Sequence, residues 1–172
     1  MGRGRPASER RADEIVAFAG ELIRQRSGNP DLEPNADAER PAQEWLRDRF
    51  AEHGGYDTID IWEVAESRPN VVAVRKGAGG GRSLTWSAHT DVVPVTPEQA
   101  DAWSVGGPFS GDVHDGKLWG RGASDMKGAI AAYAMAARVL HDEGVRLRGD
   151  LLLAQASGEE AGRRDIGCNT IL

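Results

Sequence analysis

The sequence predicts an α/β domain, on three observations. Apolar residues recur at helical spacing in the first third of the chain and again past its middle. Between and after these stretches they alternate, or run continuously over four residues, as strands do. The resulting order is two helices, several strands, a long helix and another strand, with no internal repeat and no linker composition to divide it.

The elements follow in order. The first few residues read as a tail. Ile15, Phe18, Ala19, Leu22 and Ile23 then share one helical face, with Ser8 as the expected N-cap. Ser27-Gly28-Asn29-Pro30 breaks that helix, and Pro34 extends the loop. A second helix is expected from about Asp37, with Ala42, Trp45, Leu46 and Phe50 on one side and a stop at Gly54-Gly55. Ile59 and Ile61 alternate with Asp60 and Trp62 as a half-buried strand, and Val71 to Val74 reads as a central strand. The glycines from Gly77 to Gly81 turn the chain into Leu84, Trp86 and Ala88, so these two runs are expected as a hairpin or close neighbours in one sheet. A polar excursion covers Pro94 to Gly122. Met126, Ala129, Ile130, Tyr133, Ala137 and Leu140 then form the clearest helical stripe, which ends near Gly144. Asp150 to Ala156 closes the series as a buried strand.

Composition narrows the function. The chain has 172 residues, 40% of them hydrophobic and 28% charged, the mixture of an ordinary soluble α/β protein. Its formal charge is −6 and its arginines are scattered among acids, so nucleic acid is not an expected partner. The apolar stretch from Gly128 to Leu140 is too short for a bilayer, so no membrane is expected either. Cys168 is the only cysteine, which rules out an internal disulfide. The basic start (Arg3, Arg5, Arg10, Arg11) leads into Asp13 and Glu14 rather than an apolar leader, and the reading is cytoplasmic.

Three segments place metal-capable side chains at element ends. In Ser87-Ala88-His89-Thr90-Asp91, His89 and Asp91 fall on one side of a strand end. A metal-binding imidazole commonly donates its second ring N–H to a carboxylate, and His-x-Asp supplies that pair. In Gly120-Arg121-Gly122-Ala123-Ser124-Asp125-Met126-Lys127-Gly128, the glycines allow a sharp turn and Asp125 stands at the start of the long helix. The same segment fails as a dinucleotide loop, because Asp125 replaces the last glycine and would repel a pyrophosphate. The Gly77–Gly81 run likewise lacks the Lys-Ser/Thr of a phosphate loop. The third segment, Ser157-Gly158-Glu159-Glu160-Ala161-Gly162, puts adjacent carboxylates at a strand exit, where a cation would offset their repulsion. Each segment alone has an ordinary reading as a loop hydrogen bond, a helix cap or solvated surface. Together they make the histidine and carboxylate set that suits zinc, manganese or cobalt.

In this order and spacing the three segments resemble the signature blocks of the acetylornithine deacetylase, succinyl-diaminopimelate desuccinylase, carboxypeptidase G and aminoacylase family of co-catalytic zinc hydrolases. Arg68-Pro69-Asn70-Val71-Val72, Pro108-Phe109-Ser110 and Gly116-Lys117-Leu118-Trp119 agree with it. The resemblance implies a three-layer zinc-peptidase-like catalytic domain, with a mixed central sheet flanked by helices. It implies two Zn2+ ions, with Co2+ or Mn2+ as substitutes. His89 would ligate one zinc, Asp125 would bridge both and Glu160 would ligate the second. Asp91 would orient His89, and Glu159 would be the general base. A cis peptide is expected after Asp125. The implied reaction is hydrolysis of an N-acyl amino acid or small peptide, with Glu159 taking a proton from water and passing it to the leaving amine.

The departures from the family matter as much. Its members carry a further acidic ligand beyond the Glu-Glu pair, a late histidine ligand and an inserted domain that dimerises. Asp165 is too close to the pair to be that acid, and His53, His114 and His141 lie outside the ligand positions. Asn169 to Leu172 reads as the middle of an element rather than a solvated stop. Residues 1–172 are therefore expected to be the front portion of one catalytic domain, C-terminally incomplete, with weak metal binding and little turnover alone and a homodimer at full length. The competing expectations are a non-catalytic binding or regulatory module that keeps the fold, and a hydrolase using one metal or another metal.

Overall fold

A computed structural model of the chain describes residues 7–171. The expected N-terminal tail lies outside the described residues. The elements run α1 (Ala7–Arg24), α2 (Arg40–His53), β1 (Thr58–Ala65), β2 (Arg68–Arg75), β3 (Leu84–His89), α3 (Pro97–Asp101), β4 (Asp112–His114), β5 (Lys117–Trp119), α4 (Gly128–Asp142) and β6 (Leu151–Ala156).

The main sheet is mixed, in the order β1-β2-β6-β3. β2 is antiparallel to β1 and to β6, whereas β3 runs parallel to β6, pairing Leu84 with Leu151 and His89 with Ala156. The Val71 and Leu84 runs do lie in one sheet, but the hairpin alternative is corrected, because β6 sits between β2 and β3. The reason is burial: Leu151, Leu153 and Ala154 are buried, and a strand that apolar competes for the sheet centre.

Helices α1, α2 and α4 pack against the sheet through one cluster. Phe18, Leu22, Leu46, Phe50, Ile130 and Ala134 meet Val71, Ala73, Leu151 and Leu153. The helical faces follow from sequence spacing with local differences. Ser8 lies inside α1 rather than before it, and α2 starts at Arg40 with a proline in its first turn instead of at Asp37. Met126 precedes α4, Ala129 is exposed, and the buried face is Ile130, Ala131, Ala134, Met135 and Ala137. The excursion from Pro94 to Gly122 contains α3 and the β4–β5 hairpin. Near the C-terminus, Cys168–Thr170 forms a single short helical turn.

This topology positions the candidate site. Because β3 and β6 are parallel, their carboxyl ends lie side by side at one edge of the sheet. Such an edge is where open α/β sheets bind ligands. The start of antiparallel β2 reaches the same edge, and so does the turn before α4.

Candidate metal centre

His89 ends β3 with only 6% of its surface exposed. Its Nε2 lies 3.1 Å from Asp125 Oδ1 and 3.7 Å from Glu159 Oε2. One donor atom each from His89, Asp125 and Glu160 fall within 4.8 Å of one another. One imidazole and two carboxylates in that span form a donor set that fits zinc or a similar divalent ion.

Asp125 reaches the cluster from a distorted turn. Over Ala123–Lys127, Asp125 (φ −131, ψ 99) and Met126 (φ −134, ψ 28) leave helical geometry, and the Asp125–Met126 peptide is cis. Gly122 enters this turn at φ 84, and a Cβ there would stand 2.8 Å from Val92 Cγ1, so only glycine fits the bend. Lys127 is fully buried behind the turn and donates to the Gln25 main-chain oxygen at 2.6 Å. Burial pulls its ammonium down to about 7.

Asp91 stands against His89, where the sequence expects it, and has further partners. His89 Nδ1 lies 3.0 Å from the Asp91 main-chain oxygen and 3.5 Å from Asp91 Oδ1. The carboxylate's short contacts go elsewhere: Asn29 Nδ2 donates to it at 2.7 Å, the Glu159 N–H at 3.1 Å and the Glu160 N–H at 2.9 Å. Burial opposes the charge on Asp91, but His89, the Glu160 N–H and the Asn29 amide outweigh it and hold its pKa below the usual carboxylate range. Burial also lowers His89, yet the Asp91 carboxylate and the nearby Glu159 charge more than reverse this, to about 9. Glu160 moves upward, chiefly through burial and then through the charges of Asp125, Asp91 and Glu159, against the pull of His89.

The structure thus brings His89, Asp91, Asp125, Glu159 and Glu160 to one place. The other histidines stay away from it. His53 packs on Phe18, His141 lies against Gly55, and His114 is exposed beside Asp115. Sequence reasoning missed Asn29, Glu39 and Arg68 as parts of the site. Arg68 is buried against Glu39 and Asp31, and Glu39 Oε1 accepts from the Gly158 N–H at 3.0 Å. Only the breaker at Asn29 and the Arg68-Pro69-Asn70 stretch stood out in the sequence, and neither pointed to these partners.

The comparisons with known proteins agree with the geometry. The model of peptidase family M20/M25/M40 matches residues 85–172, just over half the chain. An N-formyl-4-amino-5-aminomethyl-2-methylpyrimidine deformylase of Halalkalibacterium halodurans is 35% identical over 156 residues, covering 90% of this chain and 34% of that protein. A succinyl-diaminopimelate desuccinylase of Methylocella silvestris is 36% identical over 160 residues, covering 92% and 39%. Human carnosine dipeptidase 1 shares the fold at a TM-score of 0.74 and 20% identity, over 95% of this chain and 35% of that one. The chain spans little more than a third of the length of the curated relatives it matches. Carrying the family's blocks on the family's fold, the chain belongs to peptidase family M20/M25/M40.

Proposed function

We propose that residues 1–172 are the front portion of the catalytic domain of a metal-dependent amidohydrolase, which cleaves the amide bond of an N-acyl amino acid or small peptide. The observation that carries this reading is the convergence of His89, Asp125 and Glu160 within 4.8 Å, with Glu159 exposed beside them. The names of the two curated relatives, a deformylase and a desuccinylase, support removal of an acyl group from nitrogen.

On this reading His89, Asp125 and Glu160 would hold the zinc. The metal, when bound, supplies Lewis acidity and a lowered pKa for water. The remaining chemistry belongs to the chain. Glu159, with 57% of its side chain exposed, stands free of the core to take a proton from the attacking water and return it to the leaving amine. Asp91 helps to keep His89 in place through its main-chain oxygen, and holds the Glu159–Glu160 turn through its carboxylate. These three ligands would leave a two-metal site short of donors. The 172-residue chain alone is therefore expected to bind metal weakly and turn over little. The complete protein, read as a cytoplasmic homodimer, supplies the rest.

The test is Glu159→Ala in the complete protein. Turnover of a panel of N-acyl amino acids and dipeptides should fall by roughly 10²–10⁴-fold, with metal content unchanged by elemental analysis. Undiminished turnover would remove Glu159 from its role. A complete wild-type protein that binds metal and hydrolyses nothing in the panel would favour the non-catalytic module.

A further inference from the structure

The turn that carries Glu159 and Glu160 makes local bonds from Gly162 to the Glu159 oxygen and from Arg163 to the Gly158 oxygen. Its own N–H groups, however, are met by side chains from elsewhere in the fold. β6 ends at Ala156, and four consecutive N–H groups follow. Ser157 donates to Asn70 Oδ1 at 2.9 Å and Gly158 to Glu39 Oε1 at 3.0 Å. Glu159 and Glu160 donate to the two Asp91 oxygens at 3.1 and 2.9 Å. Buried N–H groups need such partners, but here the acceptors are three separate side chains, two of them buried carboxylates.

Glu39 is fully buried at the N-terminal boundary of α2, yet its side chain does not cap that helix. It serves Gly158 and Arg68 instead. Arg68 forks onto it, with Nε at 3.1 and 2.9 Å from the two oxygens and Nη2 at 2.6 Å from Oε1. An unpaired buried carboxylate would be costly, and this guanidinium offsets its charge. Arg68 Nη2 also reaches Asn29 Oδ1 at 3.3 Å, and Asn29 donates in turn to Asp91 at 2.7 Å. The two carboxylates that hold the turn are therefore tied to each other through Arg68 and Asn29. A shift of Glu39 would be felt at Gly158, one residue before Glu159.

We propose that Glu39, with Arg68 as its buried counter-ion, is a positioning residue that sets the Glu159–Glu160 turn and through it the placement of the metal ligand Glu160. The inference rests on the reading of this site as a metal centre. Neither residue belongs to the His89, Asp125 and Glu160 cluster; both act through the backbone of the turn.

Two variants of the complete protein test it. Glu39→Gln keeps an acceptor for Gly158 but removes the charge facing Arg68, and Arg68→Lys keeps the charge but cannot fork. Amide hydrogen exchange is followed at Gly158, Glu159 and Glu160, with Leu153 and Ala154 of the central strand as the global reference. Co2+ affinity is followed by absorption titration. The expected result is exchange faster by about tenfold at the three turn amides alone, together with Co2+ binding weaker by about tenfold. Turn amides and Co2+ affinity unchanged in a folded variant would overturn the proposal. So would equal acceleration at Leu153 and Ala154, or failure of both variants to fold, since each would mark the pair as a brace for the whole fold. A complete wild-type protein that binds no Co2+ would instead defeat the metal reading, while the exchange pattern would still decide the positioning role.

Discussion

Asp91 illustrates what single residues contribute. Its carboxylate is wholly buried and receives a side-chain amide and two main-chain N–H groups, so it organises both sides of the site at once. Asp91→Ala would strand those donors in the interior, where each unmet partner costs on the order of 1–3 kcal/mol. We expect a loss of about 2–4 kcal/mol in urea unfolding, and Co2+ affinity weaker by roughly 10–100-fold. Loss of stability without loss of metal affinity would show that the turn keeps its shape unaided. At this scale the sequence was readable wherever chemistry and spacing coincide, as in His-x-Asp, the aspartate of the glycine turn and the Glu-Glu pair. Glu39 was not readable. A glutamate beside Arg40 at the start of an amphipathic helix looks like solvated surface until the fold sets Arg68 and Gly158 against it.

Among the elements, β3 and β6 carry the most consequence, because their parallel pairing brings His89 and the Glu159–Glu160 turn to the same edge. Their entry points are crowded. A Cβ on Gly149, just before β6, would lie 1.9 Å from the main-chain oxygen of Arg82, just before β3. Backbone cannot yield as a flexible side chain can, so Gly149→Ala should destabilise by about 1–3 kcal/mol and disturb the strand pairing. Chemical denaturation checks the first, and backbone amide shifts of Leu84 to His89 the second. Leu153→Ala, in the middle of β6 and fully buried, should cost about 2–5 kcal/mol. Existence and type of the long elements were legible from periodicity. The neighbour of β2 was not, since Val71–Val74 and Leu84–Ala88 are adjacent in sequence with a glycine-rich turn between them. Only the competition of a more apolar strand, Leu151–Ala154, for the central place separates them.

For the molecule as a whole, β3 forms one end of the main sheet and pairs only with β6 among the described residues. Leu84, Thr85 and Ser87 are exposed along it. An open, uncharged strand edge invites pairing with another chain. The 172-residue chain is therefore expected to self-associate with rising concentration in sedimentation velocity runs, despite its −6 charge. Thr85→Lys should suppress that association without lowering the unfolding midpoint. Concentration-independent monomers in the unmodified chain would rule the edge out as an adhesive surface.

The sequence by itself determined the fold class, the buried faces of α1 and α2 and the residue types that could hold a metal. Those properties follow from local periodicity and side-chain chemistry, which need no knowledge of distant partners. Tertiary structure alone decided the strand order, the role of the Asp91 carboxylate and the network of Asn29, Glu39 and Arg68 behind the Glu159–Glu160 turn. Their partners lie far apart in the chain, Glu39 and Gly158 by 119 residues, and which buried donor meets which buried acceptor is settled only when the whole core closes around them.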